Sequence, residues 1–89
     1  MKPRSLKKQL ELAEEVGRKT AEHFFTFFRG SKNRGPKFEW PKTLRQIVVS
    51  STKMYAESNE VEEHTAVAVA SARRTLNKLL AEERQGARG

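Results

Sequence analysis

Apolar residues from Leu6 to Phe28 recur mostly at intervals of three and four, through Leu6, Leu10, Ala13, Ala21, Phe24, Phe25, Phe27 and Phe28. That spacing predicts a helix over about 5–29, with Gly17 and Thr20 interrupting its apolar stripe. Ser5 suits its N-cap and Gly30 its end, while Glu14–Arg18 and Glu15–Lys19 stand as favourable i,i+4 pairs. A glycine inside a helix costs about 1 kcal/mol against alanine, so Gly17 is expected to mark a close crossing with another helix.

No period runs through Gly30-Ser-Lys-Asn-Arg-Gly-Pro36, which reads as a loop. Beyond it, Thr43 and Gln46 have capping-box spacing and Pro41 suits a first turn, which predicts a second helix over about 42–57. Leu44, Ile47, Val48, Ser51 and Tyr55 fall on one face of it, although Ile47-Val48-Val49 is β-branched enough to suit a short strand. Ser58-Asn59 interrupts, and Asn59 with Glu62 gives the next start signal, strengthened by the carboxylates Glu60, Glu62 and Glu63. The third helix then spans about 60–84, with Val61, Thr65, Ala68, Val69, Ala72, Leu76, Leu79 and Leu80 as its stripe and residues 85–89 as a frayed tail. The fold class expected is all-α, a small three-helix bundle with two long helices, one shorter helix and a basic loop between helices 1 and 2. It forms one domain over 1–89.

Composition narrows the function. At 89 residues the core is thin, and 18 Lys+Arg against 11 Asp+Glu give a net charge of +7, which points to an anionic partner. The absence of cysteine excludes disulfide scaffolds, thiolate nucleophiles and cysteine metal sites. No apolar run approaches the ~18 residues of a membrane span, and the N-terminus lacks a signal-peptide pattern, so the expectation is a soluble cytoplasmic protein without a membrane span.

The charge is uneven. Residues 29–45 hold Arg29, Lys32, Arg34, Lys37, Lys42 and Arg45 against Glu39 alone, with Phe38 and Trp40 interleaved. Cations beside aromatics are what single-stranded nucleic acid requires, for phosphate neutralisation and for stacking. Arg73, Arg74 and Lys78 add a cationic patch late in helix 3, where they also offset the helix dipole, and Lys2, Arg4, Lys7 and Lys8 form a basic N-terminal group. Three glutamates open helix 3, which argues against its first turns as a recognition helix.

Catalysis has no visible home. His23 and His64 lie 41 residues apart without further ligands, and Ser50 with Lys53 has a Ser-x-x-Lys spacing without its companion motifs. Gly30 and Gly35 match no phosphate loop. No cofactor and no metal are expected, and the chain is read as non-enzymatic. The primary expectation is a nucleic-acid-associated protein, a small subunit of a larger nucleoprotein assembly. It would contact DNA or RNA backbones through Arg29, Lys32, Arg34, Lys37, Arg45, Arg73, Arg74 and Lys78, with Trp40 and Phe38 adding stacking. The alternative is a protein-interaction module or inhibitor that docks on an acidic protein or on a second copy. Its contacts would be Phe24, Phe25, Phe27 and Phe28 with the basic loop.

Overall fold

The computed structural model describes the backbone of residues 5–29 and 40–88 and the side chains of 5–29 and 42–83. Three helices pack together: α1 spans Leu6–Arg29, α2 Trp40–Ser58 and α3 Thr65–Arg88, with a 3-10 turn over Glu62–His64 leading into α3. The all-α bundle with two long helices and one shorter one is therefore what the chain forms. Two 24-residue helices, each about 36 Å long at 1.5 Å per residue, flank a 19-residue one.

Local chemistry fixes the start of α1. Ser5 Oγ accepts the Lys8 amide at 3.3 Å, the bond expected of an N-cap serine. Lys19 pairs with Glu15 at 3.1 Å as the spacing predicts, but Arg18 turns away from Glu14 and instead holds Glu22 at 3.0 Å, with Glu15 at 3.8 Å. The start of α2 differs from expectation. It begins at Trp40, so Thr43 lies inside the first turns instead of capping them, and Pro41 sits where the missing N–H has no intrahelical partner to lose.

The boundary between α2 and α3 departs further. Asn59 does not cap α3; its Nδ2 donates to the Tyr55 carbonyl at 2.7 Å and helps to close α2. Glu60 adopts a left-handed φ of 60°, the Glu60 amide donates to Glu57 O at 3.0 Å, and the Val61 amide donates to Ala56 O at 2.8 Å. That pair of bonds is a Schellman motif, and its usual hydrophobic contact is present because Val61 and Ala56 are both buried in one cluster. The signals at 58–60 thus terminate the second helix. α3 starts five residues later, after Thr65 Oγ1 has donated to the Glu62 carbonyl at 2.6 Å, and it runs to Arg88 through the stretch expected to fray.

Gly17 and Thr20 belong to the buried stripe of α1, together with Ala13, Val16, Ala21 and Phe25. Gly17 faces the backbone of α3: a Cβ built on it would collide with the Ala68 carbonyl oxygen and stand 2.8 Å from the Ala72 amide nitrogen. Small residues Ala13 and Ala21 flank it on α1, and Ala68 and Ala72 meet it on α3, so the two backbones approach closely. Across the same contact Ser71 Oγ donates to the Glu14 carbonyl at 2.7 Å, and Thr20 Oγ1 donates to Val16 O within α1.

The apolar core divides into two clusters. Ala21, Phe25, Leu44, Val48, Ala72, Leu76 and Leu80 form the larger one, and Ala13, Ala56, Val61 and Ala68 the smaller. On α2 the buried row is Leu44, Val48, Thr52 and Ala56, rotated from the predicted face, so Tyr55 remains 45% exposed. Thr52 is fully buried between the two clusters and its hydroxyl has no hydrogen-bond partner.

Three stability measurements test this account. Gly17→Ala should lower stability by about 2 kcal/mol or more in urea unfolding, because overpacking against backbone outweighs alanine's better helix propensity. Glu60→Gly should gain roughly 0.5–1 kcal/mol, since a left-handed L-residue costs more than glycine's extra chain entropy. Thr52→Val should raise the melting temperature by about 4–8 °C, the shift that ~1 kcal/mol produces in a domain of this size once an unsatisfied buried hydroxyl is removed.

Candidate nucleic-acid interface

Packing divides the charged residues into two populations. All four ion pairs among the described residues use a cation of α1: Arg18 with Glu15 and Glu22, Lys19 with Glu15, and Arg29 with Glu83 at 3.2 Å. Arg29, expected to meet phosphate, is thus engaged in tying the end of α1 to α3. Such exposed pairs contribute little stability, but they neutralise that side of the bundle.

The other two helices differ. Neither residues 40–56 of α2 nor residues 65–81 of α3 include a carboxylate, and they carry Lys42, Arg45, Lys53, Arg73, Arg74 and Lys78. All six are exposed, and none forms an ion pair with another described residue. At 100° per residue Arg73 and Arg74 diverge: Arg73 shares a flank of α3 with Asn77, and Arg74 shares the next with Lys78.

Between α2 and α3 lies an open groove of ≈ 700 Å³ lined by Arg45, Gln46, Val48, Val49, Ser50, Arg73, Leu76 and Asn77. Its floor is structural, because Val48 and Leu76 are core residues with at most 1% exposure. Its polar wall residues, Arg45, Gln46, Ser50, Arg73 and Asn77, are exposed. Arg45 Nη2 donates across the groove to Asn77 Oδ1 at 3.4 Å, a long bond to a neutral acceptor that leaves the guanidinium charge uncompensated.

Of the residues predicted from sequence, the fold brings Arg45 and Arg73 together on this groove and sets Arg74 and Lys78 beside it on α3. Lys32, Arg34, Lys37 and Phe38 lie outside the described residues, and of Trp40 only its backbone position, opening α2, is described. The phenylalanine cluster divides. Phe25 is 6% exposed in the larger core cluster, and Phe24 and Phe28 pack against that cluster. Phe27 alone of the four stands in solvent, 66% exposed, with its ring edge-to-face on Phe28 at 5.8 Å. The sequence reading placed Gln46 in a capping box and Ser50 in a Ser-x-x-Lys spacing and assigned neither of them, nor Asn77, to a binding surface; the available signal was the long carboxylate-free stretch in each helix, with Asn77 one turn after Arg73.

Among the described residues no cluster of His, Asp and Glu could hold a metal ion, and no helix is long and apolar enough to cross a membrane. His64 Nε2 instead hydrogen-bonds Gln9 Oε1 at 2.9 Å, joining the 3-10 turn to α1. Comparison with known proteins finds no matching family model, no matching curated protein and no matching solved structure.

Proposed function

We propose that this chain is a non-enzymatic nucleic-acid-associated protein that holds DNA or RNA mainly by its phosphate backbone, on the face formed by α2 and α3. The observation that carries this reading is the six exposed cations on two carboxylate-free helical stretches, none in an ion pair with another described residue, whereas Arg18, Lys19 and Arg29 of α1 are matched by glutamates. A surface of that kind attracts polyanions and releases their condensed counterions on contact. The two arginines of the groove, Arg45 and Arg73, are central to it, and arginine forks suit phosphate oxygens. On this reading Arg29 is a structural cation, because Glu83 already holds it.

One observation favours a second reading, docking on an acidic protein: Phe27 stays 66% exposed beside the charged bundle end. The two readings place the binding energy in different residues.

Anisotropy titrations of a labelled oligonucleotide over a range of salt concentrations separate them. Arg45→Ala and Arg73→Ala should each reduce the slope of log K against log salt by about one unit, and Arg29→Ala by less. Phe27→Ala should leave the titration unchanged. If neither groove arginine moves the slope, this face is not the phosphate contact; if the wild type binds no oligonucleotide even at low salt, the nucleic-acid reading fails and the docking reading takes its place.

A further inference from the structure

The α2–α3 groove combines two chemistries that a phosphate backbone alone does not use. Its walls carry the guanidinium groups of Arg45 and Arg73, while its floor is apolar, made by Val48, Val49 and Leu76. A duplex presents an outer surface of phosphates and sugars with its bases paired and stacked inside, so it would satisfy the arginines and leave the half-buried Val49 uncovered. A single strand offers both parts, since every unstacked base has an apolar face a few bonds from its phosphate. We propose that this groove takes one unstacked nucleotide of a single-stranded nucleic acid, an inference that rests on the nucleic-acid reading above and specifies its ligand.

The pieces have compatible positions. The groove's ≈ 700 Å³ falls within the range of sites that enclose small ligands. The base lies over Val49, with Val48 and Leu76 beneath, and the core holds that floor in place. The phosphate sits between Arg45 and Arg73, and the absence of any carboxylate among the lining residues leaves nothing to repel it. Arg45 gives up only its 3.4 Å bond to Asn77, a neutral amide, and exchanges it for a charge-assisted one. That exchange frees the Asn77 amide to meet a base edge, as Gln46 does from α2.

The test compares three labelled probes on the folded wild-type protein at one salt concentration: an oligothymidylate of about 12 nucleotides, the same strand with abasic sites throughout, and a duplex of equal length. The expected result is that the base-containing strand binds about tenfold more tightly than the abasic one, and more tightly than the duplex. Val49→Gln, which sets a polar amide at a half-buried position on the floor where the base would lie, should abolish the preference for bases while leaving the binding of the abasic strand to the arginines. Equal affinity for the base-containing and abasic strands, or tighter binding of the duplex, overturns the nucleotide site and leaves the backbone reading standing. Survival of the base preference in a folded Val49→Gln protein places the base elsewhere and likewise overturns it. Absence of binding to all three probes overturns the backbone reading as well. The wild-type comparison can overturn the nucleotide site even where the Val49→Gln protein does not fold.

Discussion

Everything in this bundle is arranged around the contact between Gly17 and the backbone of α3 at Ala68 and Ala72. With no side chain on one helix and only methyl groups on the other, α1 and α3 come together along small residues, and Ser71 bonds the Glu14 carbonyl across the join. An 89-residue chain has too little apolar surface to bury a broad core, so close packing of backbones supplies part of what bulky side chains supply in larger domains. The remaining helix, α2, then lies against the pair, contributing Leu44 and Val48 to one cluster and Ala56 to the other.

That arrangement also decides where charge accumulates. The ion pairs that use α1 engage Glu15 and Glu22 and, through Glu83, one carboxylate of α3. The remaining carboxylates of α2 and α3 lie beyond the stretches that border the groove, whose polar lining is therefore two arginines, two amides and a serine. The net charge of +7 is spread over the whole chain, but on residues 40–56 and 65–81 the cations stand without any carboxylate, which makes the border of the groove locally electropositive.

The helices were legible because their signals are local. Ser5 capped as its chemistry requires, the three-and-four spacing gave three helices of the right relative length, and Gly17 marked the crossing. The junction at 58–60 was legible as a break but not in its meaning: asparagine can cap either helix end, and the left-handed turn is made by Glu60, where glycine would have announced it. The buried face of α2 was rotated by one position because Thr52 is buried without a partner while Tyr55 is not buried, against the ordinary preference of both. The candidate site was legible only in part. Arg45 and Arg73 stood out as cations, but 28 residues separate them, and nothing local says that α2 and α3 meet along that flank. Phe25, Phe24 and Phe28 looked like surplus surface because their partners, Leu44, Leu76 and Leu80, come from distant helices.

The division of the groove into a buried floor and exposed walls sets how freely such a chain can drift. Val48 and Leu76 serve the core and the groove at once, so a change in either is felt first as a loss of folding. Gln46, Ser50 and Asn77 face solvent, and exchanging them costs the bundle little. Descendants of this sequence could therefore change the chemistry of the groove's rim by altering three surface positions, while the groove itself is inherited with the fold.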